Sequence, residues 1–322
     1  MRRIATENAM RRIATENAMR RLLIGFAAAL LFGAFLFGLL TKPQRLPTAA
    51  IAAETSGDPG RGARIFWAGG CASCHAAVGA KGDDRLRLGG RPLATPFGTF
   101  QSPNISGDPI DGIGGWRLVD FANAMQRGVD PSGHHLYPAF PYTSYIKLAP
   151  GDVADLFAYI KTLPRVVGKQ PETVLAFPYN VRRGIGLWKL LYLGDSAPVV
   201  ALPAGDALVR RGQYLVEGPG HCGQCHTARS LDGLGGLDTA HWLGGAPNPE
   251  GKGRIPNITP AKAGIGAWSA DDIETYLETG FTPDYDSVGG SMVEVQKNMA
   301  KLPKADRTAI AAYLKAIPAV EN

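Results

Sequence analysis

Two pentapeptides decide the reading of this chain: Cys71-Ala72-Ser73-Cys74-His75 and Cys222-Gly223-Gln224-Cys225-His226. Together they use all four cysteines of the 322 residues. Each is C-x-x-C-H, the spacing at which haem c is attached. Two thiols three positions apart on one helical turn can each bond a vinyl-derived carbon of one porphyrin. The adjacent histidine then lies under the ring and offers one axial nitrogen to iron. A redox dithiol does not require that histidine, and a four-cysteine zinc site would leave both histidines unexplained. The expectation is two covalently bound haem c groups, one on Cys71, Cys74 and His75, the other on Cys222, Cys225 and His226.

Outward from the two motifs, the flanking sequence repeats. Pro103-Asn104-Ile105-Ser106 corresponds to Pro256-Asn257-Ile258-Thr259, and Gly112–Trp116 to Gly264–Trp268. Helical patterns follow at Leu118–Arg127 and Ala270–Glu278, each stopped by a glycine, Gly128 and Gly280, a favoured residue just past a helix end. Each half closes with a further helical stretch, Asp152–Leu163 before Pro164 and Ala305–Ile317 before Pro318. Gly60–Ala68 and Asp206–Val216 are helical candidates ahead of the motifs. The chain therefore reads as a duplicated, mainly α unit of about 110 residues, too small to fold well without its cofactor.

Composition agrees with a folded chain: 45% of residues are hydrophobic and 19% charged. The formal charge is +6, but residues 1–21 hold six Arg and two Glu, so the rest carries only +2. A nucleic-acid binder would keep its basic surplus on the folded part, so no nucleic-acid partner is expected. The surplus precedes an apolar run, Leu22–Leu40, which at helical rise covers about 28 Å, one hydrocarbon core. Arg20 and Arg21 before it place the N-terminus in the cytoplasm. The run exceeds the apolar region of a signal peptide, and the nearest small-x-small site, Ala50-Ile51-Ala52, lies late. The division expected is a cytoplasmic N-terminus (1–21), a transmembrane anchor (22–40), a linker (41–54), one cytochrome c domain (55–164), an interdomain linker (165–205) and a second domain (206–320), the soluble domains being periplasmic. Residues 1–9 recur unchanged at 10–18 and are assigned no function.

With these residues in hand, the chain resembles the cytochrome c subunit of bacterial periplasmic alcohol, aldehyde and gluconate dehydrogenases, a group of membrane-bound dihaem and multihaem cytochromes. The resemblance covers about residues 55–320. It rests on the two C-x-x-C-H sites, LGGRP and LGGAP, SPNIS and IPNIT, GIGGW and GIGAW, YPAFPYTSY and RRGQYLVEGPGHCGQCHTAR. It implies two tandem class-I cytochrome c-like domains behind a transmembrane helix. It also implies a catalytic dehydrogenase subunit as donor and a respiratory-chain acceptor. Two features depart from the alcohol dehydrogenase subunits: those carry three haems, and they have Met where this chain has Phe140.

A low-spin electron carrier needs a second axial ligand on each iron, commonly Met or His. In the second unit the resemblance places it at Met292, with Met299 as a core competitor. In the first, the matching spacing lands on Phe140, which cannot ligate. Met125 stands where the family usually has a leucine on the distal haem face, and His135 lies close to the lost ligand. An open site is the third possibility and would permit small-ligand chemistry. The resemblance further implies that Pro92 and Pro247 accept the proximal imidazole N–H through their carbonyls. It also implies that Asn104, Asn257, Trp116 and Trp268 face the haem propionates.

The segment between the halves contains Leu187-Trp188-Lys189-Leu190-Leu191-Tyr192-Leu193, strongly apolar for a linker. It is expected to pack between the two units, to dock a catalytic subunit, or to do both with opposite faces. The chain has no Gly-rich dinucleotide fingerprint and no hydrolase motif. It therefore reads as a non-catalytic electron-transfer subunit. The rival readings are an electron-entry subunit of a terminal oxidase and, with an open first haem, a dihaem peroxidase-like enzyme.

Overall fold

The computed structural model describes residues 2–51, 56–95, 97–203, 205–248, 251 and 253–321. The small-x-small site and the boundary expected at 54/55 run into residues 52–55, outside the described residues. The chain divides into two compact units, one up to Lys42 and one from Pro43 onward. The first unit is a single helix, α1 (Arg2–Leu40). Its stretch Met10–Leu40 is long and apolar enough to cross a membrane.

The second unit is mainly helical. It comprises α2 (Pro59–Ala68), α3 (Cys71–His75), α4 (Leu118–Arg127), α5 (Tyr142–Tyr145), α6 (Pro150–Thr162), α7 (Ile185–Tyr192), α8 (Ala207–Glu217), α9 (Gly223–His226), α10 (Ala270–Thr279), α11 (Met292–Met299) and α12 (Lys304–Ala316). Two short antiparallel hairpins interrupt them, β1 (Arg91–Thr95) with β2 (Gly98–Ser102), and β3 (Ala246–Pro247) with β4 (Arg254–Ile255).

The duplication is built from matched local causes. Asp58 caps α2, its carboxylate accepting from the Gly60 and Arg61 N–H groups, with Pro59 at the first helical position. Asp206 caps α8 in the same way, accepting from Leu208 and Val209. In each half this first helix crosses the last one, α2 on α6 and α8 on α12. Both crossings are closer than a side chain permits. A Cβ on Gly62 would lie 2.0 Å from the Asp155 carbonyl oxygen, and one on Gly212 would lie 1.9 Å from that of Ala309. Each crossing is also tied by an arginine on a carboxylate. Arg61 donates to Asp155 from Nε (2.6 Å) and a terminal nitrogen (2.9 Å), and Arg211 donates to Asp306 at 2.9 and 3.1 Å. The stops expected for α4 and α10 are Gly128 (φ 57°) and Gly280 (φ 83°), both left-handed.

Two hydrophobic clusters result. The first gathers Ile65, Phe66, Phe121, Met125, Leu156 and Ile160; the second Leu215, Val216, Ile273, Leu277, Met299 and Ile310. They are not sealed from each other. Ala68, at the end of α2, belongs to the second cluster, Trp67 packs against both, and Tyr214 of α8 packs against the first. The segment expected as a linker straddles the halves. Lys189 of α7 donates to the Arg127 and Gly128 carbonyls, both at 2.7 Å, closing the C-terminus of α4. Its neighbour Trp188 donates to the Leu234 carbonyl at 2.7 Å. Leu187, Leu190 and Leu191 stay exposed. One face of α7 thus packs between the halves, while its leucines face solvent.

Candidate functional site

Both C-x-x-C-H motifs fold as a single helical turn, α3 and α9 with Cys222 at its N-cap. The histidines occupy equivalent frames. His75 Nδ1 donates to the Pro103 carbonyl at 2.8 Å, and His226 Nδ1 to the Pro256 carbonyl at 2.8 Å. The histidine carbonyls in turn accept from Gly90 N–H (2.7 Å) and Gly245 N–H (2.8 Å), in the LGGRP and LGGAP segments. A bond at Nδ1 fixes the tautomer and leaves the Nε2 lone pair as the ligand. Burial pushes the His75 pKa down to about 4, with the Arg91 charge adding to it against the Pro103 hydrogen bond. Burial likewise lowers that of His226. Both imidazoles are therefore neutral at pH 7, the state that binds a metal.

These frames correct one expectation. Pro92 and Pro247 lie in β1 and β3, paired with Gln101 and Arg254, and their carbonyls are not the acceptors. The hairpin carries the chain back, so the carbonyl presented to each imidazole is the one just after the second strand. The signal was in the repeated Pro-Asn-Ile of residues 103–105 and 256–258. Ser102 Oγ adds a second neighbour at 3.0 Å from His75 Nδ1.

The two asparagines are held by backbone groups. Asn104 directs its amide N–H groups at the Val166 and Gly168 carbonyls (2.6 and 2.9 Å), and its oxygen accepts from Ser106 N–H. Asn257 donates to the Val320 carbonyl at 2.7 Å and accepts from Thr259. Both pin the chain that leaves the last helix of their half. They act here as backbone anchors. Trp116 and Trp268 are half-buried, packed against the first and second clusters respectively, and Trp268 meets the Tyr276 ring at 5.4 Å.

The candidate distal residues separate by environment. Met125 is buried in α4, in the cluster that also contacts Cys71 and Phe140. Phe140 is half-buried, its ring 5.4 Å from that of Tyr145. His135 is buried just past the C-terminal end of α4, bridged to Val129, its Nδ1 3.2 Å from the Lys189 amine. Burial holds that amine well below the ordinary lysine range, at about 7. In the second half Met292 opens α11, half-buried against the cluster that includes Cys222, while Met299 is fully packed within it.

The residues fit haem c. Burial drives the Cys71 and Cys222 thiols up to about 12, opposite to the activated thiolate of a redox dithiol. Among the described residues no three His, Cys, Asp or Glu side chains converge as a metal site. Arg91, which the sequence reading did not single out, sits where its charge acts on both Cys74 and His75. Its Nε is buried with no hydrogen-bond partner, an orphan donor suited to an anionic group. In the second half the matching position is Ala246.

Comparison with known proteins agrees. A cytochrome c family model matches residues 60–164. A protein of Cereibacter sphaeroides described as diheme cytochrome c-type is 54% identical over 299 residues, 92% of this chain and 98% of that protein. The fructose dehydrogenase cytochrome subunit of Gluconobacter japonicus is 36% identical over 261 residues, 80% of this chain and 52% of that subunit. The gluconate 2-dehydrogenase cytochrome c subunit of Pantoea cypripedii is 34% identical over 282 residues, 85% of this chain and 63% of that subunit. The chain thus spans a little over half the length of these two dehydrogenase subunits. It belongs to the c-type cytochromes, and haem c is its cofactor.

Proposed function

We propose that this chain is a membrane-anchored dihaem cytochrome c. It passes electrons singly from a periplasmic catalytic dehydrogenase subunit to an acceptor of the respiratory chain. The carrying observation is the duplicated frame, a C-x-x-C-H turn whose histidine is held at Nδ1 by the carbonyl after a hairpin. Each half is a class-I-like cytochrome c domain with one covalent haem c, His75 and His226 being the proximal ligands. Met292 is the distal ligand of the second iron. Met125 is the distal ligand of the first, since it shares a cluster with Cys71 while His135 faces Lys189. Haem supplies one-electron redox chemistry when bound; the protein holds the imidazoles neutral and oriented. The apolar stretch within 10–40 anchors the chain, and the exposed leucines of α7 suit contact with a partner subunit.

Purification from native membranes with partners retained tests this reading. A catalytic dehydrogenase subunit should co-purify, and the denatured chain should carry the mass of two haems. Recovery with a multi-span copper–haem protein would replace it by the oxidase reading. A high-spin first haem in the oxidised protein would favour peroxidase-like chemistry.

A further inference from the structure

The two attachment motifs are not isolated from each other. In each, the third residue is hydrogen-bonded to a segment of the opposite half. Ser73 Oγ accepts from Asn298 Nδ2 of α11 at 2.7 Å. Gln224 Nε2 donates to Thr143 Oγ1 (3.0 Å) and Ser144 Oγ (2.8 Å), both in α5. The segments reached are themselves equivalent: α11 begins at Met292, and α5 follows Phe140, the residue at the matching spacing. Each half therefore grips, through its attachment turn, the stretch that stands in the other half at the matching spacing from the proximal histidine.

The grip on α11 is the stronger one. Asn298 is fully buried, and its oxygen accepts from the Arg85 guanidinium at 2.6 Å. Arg85 is buried too, stands 5.9 Å from the Trp67 ring and reaches Glu294 at 3.4 Å. Glu294 and Asn298 are one helical turn apart, so one face of α11 is fixed to the first half. The other face carries Met292, Val295 and Met299 to the second cluster. Upstream of Met292 the nearest tie is the Val288 N–H, which donates to the Gly280 carbonyl at 2.8 Å, and the residues between are open. Tyr285 is 90% exposed, and a Cβ at Gly289 or Gly290 would meet nothing within 4 Å. Met292 is therefore placed largely from the helix behind it, which the first half holds through Asn298 and Glu294 and the second half through Gln296, whose Nε2 donates to the Glu278 carbonyl at 2.8 Å.

We propose that Ser73 and Arg85 of the first half, acting through Asn298, are positioning residues for Met292. The first attachment turn thereby sets how firmly the second iron holds its distal sulfur. The inference rests on the reading of Met292 as that ligand. It makes the second haem's ligation depend on residues that never touch it.

The test uses the full chain with both haems. Imidazole added to the oxidised protein competes with a distal methionine, and loss of the sulfur-to-iron absorption band reports the exchange. Met292→Ala should abolish that band at the second haem. Asn298→Ala should raise the second haem's apparent affinity for imidazole about tenfold, the scale of one lost buried hydrogen bond. Ser73→Ala and Arg85→Gln should move it the same way, approaching from the other side of the contact. Ser73→Thr, which keeps the hydroxyl, should restore the wild-type value. Gln224→Ala should leave the second haem's imidazole affinity unchanged, since its contacts reach α5. A purely structural role would lower thermal stability without this selective shift. If Met292→Ala removes the band but Asn298→Ala and Ser73→Ala bind imidazole as the wild type does, the positioning role is overturned and the ligand stands. If Met292→Ala leaves the band intact, the ligand assignment falls and the proposal falls with it.

Discussion

On the dihaem reading, Arg91 would make two otherwise similar attachment sites unequal. Its Nε is buried without a partner, and its charge already acts at Cys74 and His75. Burying an orphan cationic donor is unfavourable unless an anion meets it. A haem propionate is the anion that the first site would supply, whereas Ala246 gives the second site nothing comparable. A positive charge beside an iron centre disfavours the more positive, oxidised state. Arg91→Leu should therefore lower the potential of the first haem by about 60 mV, one decade in a one-electron equilibrium, and leave the second within error. Potentiometric titration of the two resolved haems checks this. Equal shifts in both would mean that Arg91 acts on the whole protein rather than on one site.

At the scale of elements, the two helix crossings depend on the absence of a side chain. Gly62→Ala would drive a methyl group to 2.0 Å from the Asp155 carbonyl oxygen, and Gly212→Ala would do the same at 1.9 Å from that of Ala309. Backbone cannot yield as a flexible side chain does, so α2 must separate from α6, or α8 from α12. Each substitution should cost about 3 kcal/mol, the upper range for overpacking a core, read as a drop in thermal midpoint. Ser at either position should be as harmful, since it adds the same Cβ. The helices themselves were plain in the sequence. Helical patterns, terminal glycines and closing prolines put α2, α4, α6, α8, α10 and α12 within a few residues of where they lie, because those signals are local. The attachment turns and His75 and His226 were equally plain, since C-x-x-C-H is a contiguous pattern. The imidazole acceptor was not, because Pro92 and Pro103 are both prolines of the same hairpin, and only its fold decides which carbonyl returns to His75. Arg91 was missed because its sign is a vacant partner, which no sequence pattern records. The contact of Ser73 with Asn298 joins residues 225 positions apart and needs both halves folded.

For the molecule as a whole, the duplication suggests two independent domains, yet the residues from Pro43 onward form one compact unit. The boundary between halves is crossed by apolar and polar contacts alike. Ala68 is 2% exposed inside the second cluster, and Trp67 packs against both. Tyr214 of α8 donates to Asp152 in the first turn of α6 and accepts from the Ala149 N–H at 3.2 Å. His221, immediately before Cys222, meets the Gly69 carbonyl at 3.2 Å, and Tyr145 donates to the same oxygen at 3.3 Å. A half severed from its neighbour would expose these buried groups with no partners, and each is already small for a stable core. Residues 43–321 with both haems should therefore unfold in one calorimetric transition, with equal calorimetric and van't Hoff enthalpies. Replacing Cys71 and Cys74 by Ala, which removes the first haem's attachment, should destabilise the second half as well and lower its haem's unfolding midpoint. Two resolved transitions, or a second haem whose midpoint ignores the loss of the first, would mean that the shared contacts are too weak to join the folding of the halves.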